Sequence, residues 1–230
     1  MVDIGIIGAM DIEVCSLSSM LENSKTETFG NLEFNTGTIA GKKIAIVKCG
    51  IGKVFAAIAA EAMILKYSPR LIVNTGVGGA LRKGLSPTDI VIAEKLLQHD
   101  MDTSALGDEK GLVSGINKIY FEADERANAI LIKCAGELSL NARLGTIASG
   151  DKFVADKAEK DRIVSDFSAD VCEMEGAAIA QVAYVNKIPF AVARAISDSA
   201  DEGSGMDYMT FLPIAAKNSA NLTLALIKEY

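Results

Sequence analysis

A chain of 230 residues is long enough to bury one substantial core, and a single α/β domain commonly reaches this length. Half of the residues are hydrophobic and only 6% are aromatic, which excludes extended disorder and predicts a core of Ala, Ile, Val and Leu. The net charge of −7 argues against nucleic acid and anionic membranes as partners, because an acidic surface repels phosphate groups.

Strands and helices are predicted to alternate along most of the chain. The predicted strands are residues 2–8, 26–30, 32–40, 43–49, 70–75, 89–93, 143–149, 171–174 and 189–197. The predicted helices are residues 11–21, 52–67, 121–140, 156–167, 175–186 and 207–229. Apart from an early antiparallel meander over residues 26–49, this order predicts one α/β domain spanning residues 1–230, with a central mixed β-sheet flanked by helices on both faces.

The stretch from residue 99 to 119 has no regular pattern and contains Gly107, Gly111 and Gly115. A loop of this length inside a compact domain usually has a function, so we expect a lid or a subunit contact there. His99 begins the stretch. It is interpreted either as a residue touching a pocket or as a buried structural histidine.

The four cysteines are widely spaced and form no C-x-x-C pair; they are Cys15, Cys49, Cys134 and Cys172. We interpret them as buried free thiols; Cys49 and Cys172 lie inside apolar runs typical of strands. Because the chain has a single histidine, a zinc site would have to be built mainly from these scattered cysteines, so no metal or redox cofactor is expected. Asp3 stands where a secretory signal would carry Lys or Arg, and no apolar run approaches ~20 residues. A cytoplasmic protein is therefore expected.

Glycine-rich turns follow three of the predicted strands, in G-I-I-G-A-M (residues 5–10), C-G-I-G-K (49–53) and N-T-G-V-G-G-A (74–80). None completes a dinucleotide fingerprint. The second is not a phosphate-binding P-loop, because Val47 replaces its first glycine and Val54 its Ser or Thr. Each turn alone needs no functional explanation. Ligands gather at the carboxyl ends of strands, so three such turns predict a pocket lined by backbone.

Acidic side chains lie at the ends of three predicted strands. Glu13 comes after the first strand, and Glu173 and Glu175 flank Met174. Asp198 ends the apolar run F-A-V-A-R-A-I-S-D. An acid in such a position is often only a helix N-cap. For Asp198, however, burial would raise the pKa of the carboxyl, and a carboxyl that is protonated near neutrality is a general acid.

Six motifs occur in order along the whole chain: I-G-I-I-G-A-M-D-I-E-V, C-G-I-G-K-V, N-T-G, A-S-G-D-K-F-V, E-M-E-G-A-A-I-A and R-A-I-S-D. Together they resemble the 5′-methylthioadenosine/S-adenosylhomocysteine nucleosidases of the nucleoside phosphorylase and nucleosidase superfamily. The pair E-M-E and R-A-I-S-D is the most specific. The resemblance implies hydrolysis of the N-glycosidic bond of 5′-methylthioadenosine and S-adenosylhomocysteine, with release of adenine, by a homodimer that needs no cofactor.

The resemblance also implies two catalytic residues. Asp198 would protonate N7 of the adenine, and Glu13 would bind and activate the water that attacks the anomeric carbon. Inverting glycosidases divide the work in the same way around an oxocarbenium-like transition state. Ser197 would orient Asp198, and Glu175 would hold the ribose hydroxyls.

Further substrate contacts follow from the same resemblance. Met174 would pack on the sugar, Phe153 would stack on the purine, and the backbone of Val154 would read its polar edge. The remaining residues expected at the substrate are Met10, Ile51, Val77, Glu173, Arg194 and Phe211. We expect Arg194 to pair with an acid near the ribose, with Glu13 as its partner; a purely structural ion pair is the alternative.

Water is the expected nucleophile. A phosphorylase must clamp phosphate with arginine side chains and backbone donors. No Arg or Lys lies between Gly8 and Ser24, and Asn74 stands where related phosphorylases carry a basic residue. Glu13 would also repel phosphate.

Two departures from the family pattern bear on the substrate. Val77 stands where these nucleosidases often have Ser, and Leu106 where an aromatic residue of a neighbouring subunit often covers the 5′ group. The preference for the 5′ substituent therefore stays open. The alternatives are a phosphorylase, a nucleosidase for another 5′-modified adenosine such as aminodeoxyfutalosine, and a non-catalytic nucleoside-binding protein. The combination of Glu13, Glu175 and Asp198 argues against the last of these.

Overall fold

Ten strands form one mixed sheet in the computed structural model, which describes residues 1–230. The strands are β1 (Ile4–Gly8), β2 (Glu22–Phe29), β3 (Leu32–Ile39), β4 (Lys42–Lys48), β5 (Leu71–Ala80), β6 (Ile90–Gln98), β7 (Phe121–Glu122), β8 (Ala142–Ser149), β9 (Val171–Glu173) and β10 (Phe190–Asp198). The helices are α1 (Asp11–Ser18), α2 (Lys53–Tyr67), α3 (Glu125–Glu137), α4 (Lys157–Phe167), α5 (Gly176–Asn186) and α6 (Ser204–Glu229).

The sheet closes on itself over half of its width. β10 pairs in parallel with β5 and antiparallel with β6, and the path β6–β8–β9–β5 completes a ring of five strands. From β5 the sheet continues outward through β1, β4, β3 and β2. Residues 77–79 of β5 and the carboxyl ends of β9 and β10 lie around one opening, next to the end of β1.

Helices cover both faces of the sheet. α2 and α5 pack on one face, in a core that includes Ile7 and Met63. α1, α3 and α6 pack on the other, in a core that includes Ile6 and Leu222. Ile6 and Ile7 enter opposite cores because successive side chains of a strand alternate between faces. The predicted fold class is confirmed. No helix combines the length and the hydropathy needed to cross a bilayer.

Several element boundaries differ from the predictions for identifiable reasons. β5 continues through the glycine-rich residues 76–80, because they pair with β10 and β9. Phe121 and Glu122, predicted as helix, pair with β6 as a short strand. α3 then begins after Asp124, whose carboxylate accepts the N–H of Ala127 at 2.8 Å. α6 begins at Ser204, one turn before the predicted start.

The helix predicted over residues 156–167 and the irregular stretch predicted over residues 99–119 are both present. Asp156 caps α4, and its Oδ1 accepts the N–H of Glu159 at 2.8 Å. The stretch 99–119 is irregular, with one short 3₁₀ turn, Ser104–Leu106, and an isolated bridge between Val113 and Lys118.

Candidate active site

A cavity of about 390 Å³ lies at the opening of the strand ring, a volume within the range of small-molecule sites. Eleven of the thirteen predicted site residues line it: Met10, Glu13, Ile51, Val77, Phe153, Val154, Glu173, Met174, Glu175, Ser197 and Asp198. Both predicted catalytic carboxyls therefore face one cavity. Arg194 and Phe211 do not line it.

Glu13 is held in the wall by backbone amides. Its Oε2 accepts the N–H groups of Ala9 at 2.7 Å and Met10 at 2.9 Å, and its Oε1 accepts that of Val77 at 3.3 Å. Residue 76 must be glycine, because a Cβ atom there would lie 2.5 Å from Oε1. Val77 contacts Glu13 through its backbone N–H, so this contact does not depend on the side chain at position 77. Burial raises the pKa of Glu13, against the lowering effects of Arg194 and of the three amides.

Asp198, the last residue of β10, is only 2% exposed. Its Oδ2 accepts the hydroxyl of Ser197 at 2.8 Å, and its Oδ1 accepts the N–H of Ala200 at 2.9 Å. Burial raises the pKa of Asp198 and outweighs these hydrogen bonds. Ser197 lies where the prediction expected it, beside the carboxyl. The arrangement favours a proton held on Asp198 to a higher pH than usual.

Arg194 contradicts the expected pairing with Glu13. Its guanidinium, completely buried behind the cavity wall, donates to the carboxylate of Glu173 and to Oδ1 of Asn74. The amides around Glu13 already satisfy that carboxylate, whereas Glu173 needs a countercharge. Glu173 also accepts the N–H groups of Glu175 and Gly176 at the start of α5. Arg194 therefore forms a structural ion pair with Glu173, which was the alternative interpretation of the sequence.

Glu175 keeps one carboxyl oxygen available to a ligand. Its Oε1 accepts the N–H of Gly52 at 2.8 Å, and its Oε2 lies 4.0 Å from Nη2 of Arg194. Burial, reinforced by the negative charge of Glu173, raises the pKa of Glu175 to about 8. This carboxyl can accept or donate a hydrogen bond to a hydroxyl group in the cavity.

Tyr208 occupies the place that Phe211 was predicted to fill. Its ring packs edge-to-face on Phe153 with centroids 5.5 Å apart, and its hydroxyl donates to Sδ of Met10 at 3.3 Å. The prediction of Phe211 was wrong, because this residue lies one helical turn further along α6 and does not line the cavity. Residues 208 and 211 are three positions apart and share one helix face, so the sequence pattern is compatible with either aromatic facing the cavity.

Sequence reasoning also missed five smaller contributions to the wall: Ala9, Gly78, Gly79, Lys152 and Cys172. Burial raises the pKa of the Cys172 thiol well above its usual range, so it acts as a small apolar group. His99 is buried outside the cavity, with Nδ1 3.2 Å from Nη2 of Arg162, which fits its structural interpretation. No group of three or more His, Cys, Asp or Glu side chains is arranged to hold a metal ion.

The chemistry that this cavity can perform is acid–base catalysis on a bound ligand. Glu13 and Asp198 have different surroundings: three amides and a nearby guanidinium favour ionised Glu13, whereas only hydrogen bonds favour ionised Asp198 and the negative charge of Asp207 opposes it. Two carboxyls in different surroundings can have different pKa values, so that one acts as the base and the other as the acid. Phe153, Met174 and Tyr208 supply apolar surface for a flat ring and a sugar.

Comparison with known proteins finds several close likenesses. Residues 3–228 match the model of the Phosphorylase superfamily. The 5′-methylthioadenosine/S-adenosylhomocysteine nucleosidase of Neisseria meningitidis, in complex with methylthio-immucillin-A, is 35% identical over 100% of both chains, with a TM-score of 0.97. The S-adenosylhomocysteine nucleosidase of Streptococcus pyogenes is 33% identical over 99% of this chain and 97% of that one, with a TM-score of 0.95. The futalosine hydrolase of Helicobacter pylori is 35% identical over 99% of this chain and 98% of that one, also with a TM-score of 0.95.

Proposed function

The chain belongs to the Phosphorylase superfamily, and from this membership we propose that it is an N-ribosyl hydrolase that releases adenine from 5′-methylthioadenosine and S-adenosylhomocysteine. Nucleosidases for these compounds match it over its full length. The observation that carries the proposal is the presence of Glu13, Glu175 and Asp198 on one cavity with apolar walls. The substrate is a small adenine nucleoside, and neither nucleic acid nor membrane is proposed as a partner.

In the proposed mechanism, Asp198 donates its proton to N7 of the adenine. The electron pair of the N-glycosidic bond moves to the purine, which leaves as neutral adenine, and positive charge develops on the ribose. Glu13 accepts a proton from the water as its oxygen bonds to the anomeric carbon. Glu175 binds the ribose hydroxyls, and Met174 packs on the sugar.

The charges of the wall support water over phosphate as the nucleophile. Lys152 is the only basic residue lining the cavity, beside four acidic ones. Arg194, the nearest guanidinium, is committed to Glu173 and Asn74. Glu13 faces the place of the nucleophile with a carboxylate, which repels phosphate.

A second substrate class is a 5′-modified adenosine such as aminodeoxyfutalosine. The observation in its favour is the likeness to the futalosine hydrolase of Helicobacter pylori, which is as high as the likeness to the nucleosidases. The catalytic residues serve both classes, because the reacting bond is the same. Only the 5′ end of the pocket would differ.

The proposal is tested by measuring adenine release from 5′-methylthioadenosine, S-adenosylhomocysteine and aminodeoxyfutalosine, each with and without inorganic phosphate. We expect adenine and the free sugar at the same rate in both conditions. Phosphate-dependent release with a ribose 1-phosphate product would identify a phosphorylase. Tight nucleoside binding without adenine release would identify a binding protein.

We further propose a homodimer. The outer face of α2 and the turn before it expose a row of large apolar side chains next to the cavity; they are Ile51, Val54, Phe55 and Ile58. Leu106, in the irregular stretch after His99, is 84% exposed. Exposed apolar groups clustered in this way are typical of a protein interface. A second copy packed on α2 would cover this face and the mouth of the cavity.

The expected result in sedimentation equilibrium is a mass twice that of the 24.2 kDa chain. Phe55→Glu should shift the equilibrium toward the monomer, because a carboxylate in an apolar interface is desolvated without a partner. Leu65→Glu, at the far end of the same helix, is the matched control. A wild-type monomer at assay concentration would contradict this proposal.

We also propose a cytoplasmic location, since four free cysteines suit a reducing compartment.

A further inference from the structure

Three loops around the cavity are tied together by one closed set of hydrogen bonds, here called the three-loop ring and made of Lys53, Asp100 and Asp151. The backbone N–H of Lys53 donates to Oδ1 of Asp151 at 2.7 Å. The backbone N–H of Asp151 donates to Oδ2 of Asp100 at 2.9 Å. The ammonium of Lys53 donates to Oδ1 of Asp100, which closes the ring.

Each member of the ring comes from a different part of the sequence. Lys53 is the first residue of α2, Asp100 follows β6, and Asp151 follows β8. Lys53 is half-buried, with 17% of its side chain exposed against 32% for Asp100, and Asp151 lies at the surface. Lys53 makes one more bond, to Oε1 of Gln98 at 3.0 Å.

Each member is also close in sequence to a residue of the cavity wall. Gly52, directly before Lys53, gives its N–H to Glu175. Phe153 and Val154 follow Asp151 by two and three residues and line the opposite wall. The ring therefore joins the segment that holds Glu175 to the segment that carries the aromatic wall.

We propose that Lys53, Asp100 and Asp151 are positioning residues that set the distance between the ribose subsite at Glu175 and the purine subsite at Phe153 and Val154. This inference rests on the proposed function, because it assigns the two subsites. None of the three touches the cavity itself. Their effect is to keep both walls at the spacing that one nucleoside requires, and small displacements of such walls reduce rates and affinities strongly.

The test uses Lys53→Met, Asp100→Asn, the double variant, and Lys53→Arg. We expect the KM for 5′-methylthioadenosine to rise about tenfold in either single variant, with a smaller change in kcat. The KM of the double variant should be no higher than that of the more strongly affected single variant, because both changes open the same ring. Lys53→Arg should recover most of the loss. Lys66→Met, which breaks the ion pair with Glu27 at the other end of α2, is the matched control and should keep the wild-type KM.

A purely structural role would lower the melting temperature and leave KM unchanged, and that result would overturn the proposal. Additive effects of the two single changes would overturn it as well. Affinities for 5′-methylthioadenosine and for free adenine, measured by calorimetry, separate this inference from the proposed function. If the wild type released no adenine, the proposed function would fail, and the ring would still be judged by whether its variants weaken binding of the nucleoside more than binding of free adenine, which occupies one subsite only.

Discussion

Replacement of Asp198 by Asn is expected to reduce turnover by about two or more orders of magnitude, the usual contribution of general acid catalysis, while nucleoside affinity is largely kept. Asn has the same shape and can keep both hydrogen bonds, because its oxygen accepts the N–H of Ala200 and its amide donates to Ser197. It has no proton to give to N7. The loss should therefore fall on the chemical step.

The measurement is single-turnover adenine release, together with the dissociation constant of 5′-methylthioadenosine. Asp170→Asn is the matched control: Asp170 is also buried and accepts the N–H of Thr146 at 2.8 Å, but it lies outside the cavity. Its turnover per folded molecule should stay normal. Near-normal turnover in Asp198→Asn would mean that the acid lies elsewhere.

The raised pKa of Asp198 has a consequence for stability. A carboxyl whose pKa is higher in the folded state than in the unfolded chain stabilises the fold at low pH, and this contribution is lost as the pH rises through the folded pKa. Near neutrality the buried carboxyl therefore lowers the free energy of unfolding, although the reaction requires it. Asp198→Asn removes this pH dependence, so its melting temperature should equal or exceed that of the wild type at neutral pH.

Local sequence patterns were sufficient to predict the strand ends and the residues on them. Glu13 follows β1 and Asp198 ends β10, and both strands run parallel to β5, so their carboxyl ends lie at one edge of the sheet. Glu175 follows β9, which runs antiparallel to β5, so its place beside them depends on the closure of the ring. The close approach of Gly76 to Glu13 agrees with the glycine motif. These features depend on residues near one another in sequence, which is why they could be predicted.

The features that were not predicted depend on long-range pairing. Arg194 meets Glu173 because β5 pairs with both β9 and β10, and no local pattern specifies that closure. Tyr208, and not Phe211, lines the cavity; the two aromatics share one face of α6, and local spacing does not choose between them. The three-loop ring joins positions about 50 and 100 residues apart, as their numbers in the chain show, and only coordinates bring them together.

Glu13→Gln should also reduce turnover by about two orders of magnitude, for the opposite reason. Gln can still accept the N–H groups of Ala9 and Met10 through its oxygen, but its amide nitrogen cannot take a proton from water. One hydrogen bond, from Val77, is lost, which costs about 1 kcal/mol of stability. Unchanged hydrolysis in this variant would remove Glu13 from the water site.

A second variant separates the charge of Glu13 from its position. Gly76→Ala places a methyl group 2.5 Å from Oε1, so the carboxylate must move although its charge is kept. If the base has to lie at one position, Gly76→Ala should lose activity nearly as strongly as Glu13→Gln. Retained activity in Gly76→Ala would show that position is not critical.

The pH profile tests whether the two carboxyls act in one step. Activity requires ionised Glu13 and protonated Asp198, so kcat/KM should rise as pH rises through the pKa of the base and fall as it passes that of the acid. Burial raises both pKa values; the amides and Arg194 oppose this rise at Glu13, whereas hydrogen bonds alone oppose it at Asp198. Glu13→Gln should abolish the acidic limb and Asp198→Asn the alkaline one. Because neither group works without the other, the double variant should be hardly slower than the worse single variant; multiplicative losses would mean that the acid and the base act in separate steps.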